Sequence, residues 1–198
     1  MWQSLRNSPD WQFVGLQFII VVLLQFIGPD LLRFERDWLQ SGQIWRGFSG
    51  HWVHIGWEHL LLNSAGLAIC VGLARPRWSL RCWFTQSVGI GLGISLLFTA
   101  FNPELGWYAG FSGILFGLYL LGAVALFASD RLVAVLMGGA IIGKVLLEQL
   151  TSIDFDSSAL IGAPVVVDAH LYGLLISIAI ALVWARYTMN HCPTRQSK

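Results

Sequence analysis

The sequence predicts an all-α membrane protein of six transmembrane helices with both termini in the cytoplasm. Three observations lead there. Of the 198 residues, 56% are hydrophobic and only 12% charged, with a mean hydropathy of +0.64; soluble domains carry roughly twice that charged share. Several apolar runs reach about 20 residues, enough to cross a hydrocarbon core about 30 Å thick. Lys and Arg are also divided unevenly between alternate connections, which is the signal that sets orientation. The spans leave no length for a second domain, so residues 1–198 read as a single membrane domain.

The first span covers about 11–28 and is uncharged. A single Arg precedes it and 26-FIGPD-30 is a poor signal-peptidase site, so it reads as a retained helix. The second covers about 54–74, beginning between Trp52 and His59 and ending before 75-RPR-77. The third, about 82–101, is closed by the turn pair Asn102-Pro103. The fourth, about 110–128, has nineteen residues without a charge. The fifth, about 132–150, is interrupted by Lys144 and Glu148, and the sixth, about 165–185, by Asp168 and His170.

One set of connections carries Arg6, Arg75, Arg77, Arg81, Arg131, Arg186, Arg195 and Lys198. The opposite set carries Arg33, Arg36 and Arg46, with acidic Glu104, Asp154 and Asp156. Eight basic residues against three place both termini inside. Spans two, four and six then start at the outer surface and run inward.

That topology brings polar groups to one depth. Ser112 opens the fourth span within Gly110-Phe111-Ser112-Gly113. His59, with Asn63 one turn later, lies near the outer start of the second, and His170 near the outer start of the sixth. Polar groups inside a bilayer are costly and face the bundle interior or water, so a shared depth points to one cavity. Acyl transfer suits the set. Ser112 would be the nucleophile and His170 its general base. His59 and Asn63, on one helix face by their i,i+4 spacing, would join the Ser112 N–H as oxyanion donors.

Asp168 is two residues from His170 and so points about 200° away on a helix, which leaves a Ser–His dyad. Phe116, one turn after Ser112, would stack on the imidazole. Small-residue faces at Gly113/Gly117 and Gly173/Ser177 would let the fourth and sixth spans approach closely. Lys144 and Glu148 share a face of the fifth span, and Asp168 on the sixth is expected to complete a polar cluster with them.

Other readings compete for the same residues. A transmembrane serine is commonly a packing residue, and His59 with Asn63 could be interhelical hydrogen-bond glue. His51, His54 and His59 raise a metal site, and His59 with His170 a bis-histidine haem. No HExxH occurs, since 58-EHLLLN-63 has Asn where the second ligand would stand, and neither alternative gives Ser112 a role. No cofactor or metal is therefore implied. A net charge of +1 offers no surface for nucleic acid. Cys70, Cys82 and Cys192 lack metal-ligand spacing and read as structural or incidental. Trp45-Arg46 sits in a loop of about thirty residues, long enough to have structure of its own.

The stretches 45-WRGFSGHWVHIGWEHLLLN-63, 110-GFSG-113 and 169-AHLYG-173 resemble the rhomboid family of intramembrane serine proteases. The resemblance implies a rhomboid-like bundle with Ser112 and His170 as its dyad and His59 and Asn63 as its oxyanion-binding side chains. It implies that Trp45 and Arg46 belong to the membrane-lying first loop, with His54 a structural histidine there. Two departures stand out. Phe116 replaces a tyrosine common in the family, and 73-LARPRW-78 lacks a glutamate many members carry.

The stretches 143-GKVLLEQL-150 and 162-GAPVVVDAHLYG-173 look like the rhombosortase branch of small bacterial rhomboids. That likeness implies an inner-membrane enzyme, opening to the periplasm, that removes a C-terminal Gly-Gly, helix and basic-cluster tail from secreted proteins. The partners expected are membrane lipid and substrates with a C-terminal transmembrane helix. A rhomboid-like protein that binds membrane helices without cleaving them is the alternative from another class.

Overall fold

The computed structural model describes residues 8–76, 78–151, 158 and 161–187. Arg6, Arg77, Arg195 and Lys198, used above for orientation, lie outside the described residues, as do Asp154, Asp156 and Cys192. Helix α1 (Pro9–Ile27) starts with Pro9 in its first turn, and the Ser8 side chain accepts a hydrogen bond from the Trp11 N–H. Asp10 is buried and engaged, its Oδ1 accepting from the Trp78 N–H at 3.0 Å and the Trp83 indole at 2.8 Å. Gly28, at φ 97°, ends the helix.

The long first loop has structure. It holds the short helices α2 (Pro29–Leu32) and α3 (Arg46–Ser49) and strand β1 (Phe34–Glu35). Strand β1 pairs antiparallel with β2 (Trp107–Tyr108), Phe34 opposite Tyr108. Arg46 is buried and acts as a clasp. Its Nη1 donates to the carbonyls of Asp30 and Arg33 at 3.1 and 2.9 Å, and its Nε donates to Gln43. Trp45 is exposed and donates to the Leu31 carbonyl. Arg36 reaches the other way and caps the C-terminal end of the helix Leu80–Phe101, donating to the carbonyls of Phe98 and Asn102.

Helices α4 (Trp57–Ala74), α5 (Leu80–Phe101), α6 (Ser112–Leu126), α7 (Arg131–Thr151) and α8 (Val167–Tyr187) complete the bundle. Arg75 closes α4 in the left-handed region at φ 40°, and Ser79 caps the start of α5. Among the described residues, four helices, α1, α4, α5 and α7, are long and apolar enough to cross a membrane. Helix α6 is apolar but shorter, and α8 is apolar over Val167–Val183. The run 110–128 thus forms a helix of 15 residues, because Gly110 at φ 142° breaks the backbone ahead of it.

Helix α6 is central and packs against α4, α5, α7 and α8. Its residues are buried almost throughout, with Ile114, Leu118 and Leu121 fully so. Lipid-type surface lies instead on the outer helices, where Ile19, Leu23 and Phe26 of α1 and Leu132, Leu136, Leu146 and Leu150 of α7 are exposed. Inward polarity with an apolar exterior defines a multi-pass membrane protein.

Candidate active site

Three helices begin at the same place. Ser112 is the first residue of α6, His59 lies in the first turn of α4, and His170 in the first turn of α8. All three side chains, with Asn63, line one cavity of about 450 Å³. The first N–H groups of a helix lack intrahelical acceptors and carry the positive end of its dipole. Three such ends around one cavity make a setting that favours negative charge.

Glycines set the spacing. A Cβ at Gly113 would lie 2.8 Å from the Ala169 carbonyl oxygen, and one at Gly117 would lie 2.9 Å from that of Gly173. Backbone therefore meets backbone where α6 and α8 carry Ser112 and His170. Gly110 also leaves room for a side chain. A Cβ there would stand 2.6 Å from Cε1 of His59, so the imidazole rests on bare main chain.

His170 is buried and held on two sides. The Phe116 ring stacks on it with centroids 4.0 Å apart and an interplanar angle of 6°. Its Nδ1 lies 2.8 Å from Oε2 of Glu148. The other carboxylate oxygen of Glu148 accepts from the Lys144 ammonium, which also lines the cavity. Lys144 and Glu148 therefore form an ion pair on one face of α7.

The expected three-membered cluster needs correction at Asp168. Among the described residues, the hydrogen bond recorded for its carboxylate comes from Asn102 Nδ2, at 2.6 Å, while Asn102 Oδ1 accepts from the Tyr172 hydroxyl at 2.7 Å. The physical reason is direction on the helix. Asp168 points away from His170 toward the end of α5, whereas His170 points toward α7 and meets Glu148 there.

His59 and Asn63 reach the cavity with hydrogen-bonding capacity to spare. Among the described residues, His59 Nδ1 and Asn63 Nδ2 are buried without a partner. His54 stands edge-on to His59, ring centroids 5.0 Å apart. Trp45 and Arg46 lie in the loop and do not line the cavity.

Tyr108 was not singled out by the sequence. It lines the cavity beside Ser112, and its hydroxyl donates to the Gly110 carbonyl at 2.9 Å. Burial pushes its pKa up to about 12, against hydrogen bonds with Ser112 and the Gly113 backbone. It thus stays a phenol. Its only signal in the sequence is an aromatic two residues before Gly110 in a run rich in aromatics.

Fold and site together define a polytopic membrane protein with a serine and a histidine brought to adjoining helix ends inside the bundle. A Rhomboid domain model matches residues 41–187, which is more than half of the chain and includes every residue placed around the cavity. The chain belongs to the rhomboid family, whose members are generally intramembrane serine proteases. A search of curated proteins returned no match.

Proposed function

We propose that this chain is an intramembrane serine endopeptidase. Its single membrane domain would cross the bilayer six times, near 11–28, 54–74, 82–101, 110–128, 132–150 and 165–185, with both termini in the cytoplasm. One observation carries the reading. Ser112 and His170 line one cavity from the first turns of two helices that touch backbone to backbone at Gly113 and Ala169. A packing serine would not need that arrangement.

In the proposed reaction, Ser112 Oγ attacks the scissile carbonyl carbon while its proton passes to His170 Nε2. The tetrahedral oxyanion takes hydrogen bonds from His59, Asn63 and the Ser112 N–H, helped by the converging helix ends. Collapse breaks the C–N bond, and the leaving amine takes the proton from His170. Water then repeats the sequence on the acyl-serine, so the cavity must be hydrated from its outer side. Gly110, Gly113 and Gly173 set backbone distances, Phe116 holds the base, and Trp45, Arg46 and His54 shape the loop above.

The substrate we propose is a transmembrane segment near the C-terminus of a secreted protein, of the Gly-Gly-tailed kind that rhombosortases process. The enzyme would sit in a bacterial inner membrane and open to the periplasm. The likeness of 143-GKVLLEQL-150 and 162-GAPVVVDAHLYG-173 to that branch supports this reading. A Gly-Gly pair costs about 1 kcal/mol per glycine relative to alanine in a helix, so it is a site where a helix opens.

The test incubates the purified protein, in proteoliposomes, with a Gly-Gly-tailed substrate and a second transmembrane substrate lacking that motif. Mass spectrometry reads the products. Cleavage at the Gly-Gly tail that is lost in Ser112→Ala is expected. Cleavage of the second substrate alone would overturn the branch, and cleavage undiminished in Ser112→Ala would overturn the serine mechanism.

A further inference from the structure

We infer that Glu148 is a positioning residue for the reaction, fixing His170 through Nδ1 so that a line of three groups, Ser112–His170–Glu148, replaces the dyad. The inference rests on the reading of His170 as general base. Glu148 is 4% exposed on a helix that carries, between Leu132 and Leu150, no other charged residue than Lys144. A carboxylate in such surroundings is costly unless each oxygen is engaged. Both are, but toward different groups. Oε1 takes the Lys144 ammonium and Oε2 lies 2.8 Å from His170 Nδ1.

An ion pair that served only to neutralise α7 would need Lys144 alone. The second oxygen has instead been turned onto the imidazole of another helix. A carboxylate only accepts hydrogen bonds, so the shared proton sits on Nδ1 and neutral His170 keeps its lone pair on Nε2. That is the tautomer able to take a proton from Ser112. Glu148 and the stacked Phe116 between them fix where the ring points and how it is rotated. When His170 becomes an imidazolium, Glu148 stands beside the new charge. Lys144, 5.4 Å from the Phe116 centroid, closes the group and limits how strongly Glu148 acts.

Among the described residues, the titratable groups around His170 are His59 from α4, Lys144 and Glu148 from α7, Tyr119 from α6 and Tyr108 from β2 ahead of Ser112. On the side of α5 lie Asp168 and Glu104, which face Tyr172.

The test uses the full chain in detergent and a fluorophosphonate probe, so no substrate need be known. Labelling joins Ser112 Oγ to phosphorus, passes the hydroxyl proton to His170 and releases fluoride. Rates are read from about pH 5 to 9, across the histidine range. Glu148→Gln should lower the rate about 10²-fold or more and move the acidic limb to lower pH, because the imidazolium loses its counter-charge. Glu148→Asp should restore part of the rate. Lys144→Met with Glu148→Gln removes both charges together, so no buried charge is left alone, and it should label as slowly as Glu148→Gln. A double variant labelling at the wild-type rate, or a folded Glu148→Gln with unchanged rate and limb, would overturn the inference. Ser112→Ala is run in parallel. Loss of labelling there with no effect of Glu148→Gln refutes the role of Glu148 alone, whereas labelling that persists in Ser112→Ala refutes the serine reading beneath it.

Discussion

Gly173 of α8 lies so close to Gly113 of α6 that a Cβ on Gly173 would stand 2.0 Å from the Gly113 carbonyl oxygen. No rotamer relieves that contact, because both sides are main chain. Gly173→Ala must push the helices apart, and overpacking of this kind costs about 1–3 kcal/mol. Cleavage should fall much further than stability does, since the displaced helices carry Ser112 and His170. Thermal unfolding and turnover measured on one preparation check the split.

Ser112→Ala and His170→Ala should each abolish cleavage in a protein that still inserts and folds. The double variant should be scarcely worse than either single, because members of such a pair act as a unit. Near-additive losses in turnover would count against the pairing.

His59 and Asn63 should govern turnover more than binding. Removing a fully used oxyanion donor costs about 10²–10³ in kcat. Asn63→Ala is expected to lose less than that upper figure, because His59 and the Ser112 N–H remain. A rise in KM with kcat preserved would remove them from the oxyanion site.

Lys144→Met alone should destabilise more than Lys144→Met combined with Glu148→Gln. The single change strands a buried carboxylate, which typically costs about 3–5 kcal/mol in a closed site. The loss here should be smaller, since the Lys144 side chain is 35% exposed. Asp168→Asn should be mild by comparison, because it retains an acceptor for Asn102. Melting temperatures of the four proteins decide the order.

Loop residue His51 predicts an acid-sensitive fold. Burial, partly offset by a hydrogen bond to the Gly91 backbone, brings its pKa down to about 3. Unfolded, it would titrate at about 6.5. The unfolded chain therefore binds more protons between those values, and stability present above about pH 6.5 is lost as pH falls toward 3. The loss approaches about 1.4 kcal/mol per pH unit. His51→Gln should flatten the dependence of melting temperature on pH below 6.5; an unchanged slope would contradict it.

Periodicity and run length made the helices legible, because an apolar helix in lipid advertises itself by composition. The i,i+4 spacing put Lys144 and Glu148 on one face, and the 200° step turned Asp168 away from His170. Which neighbour each face would meet was not legible. Glu148 reaches His170, and Asp168 reaches Asn102, through the rotation of α7 and α8 about their axes, and packing sets that rotation. The Arg46 clasp was hidden for a related reason. Its acceptors are main-chain carbonyls, which every sequence supplies and none displays.

The brevity of α6 has a consequence for where a bond can be cut. Its 15 residues rise only about 22 Å at about 1.5 Å each, while the 22 residues of α5 rise about 33 Å. Peripheral helices match the thickness of the bilayer and the central one does not, so Ser112 can lie at the floor of a well without thinning the surrounding lipid. The length of one buried helix then acts as a ruler. If Ser112 is the nucleophile proposed above, that length sets how far below the membrane border a peptide must carry its bond, in steps of one residue's rise, whatever sequence that peptide has.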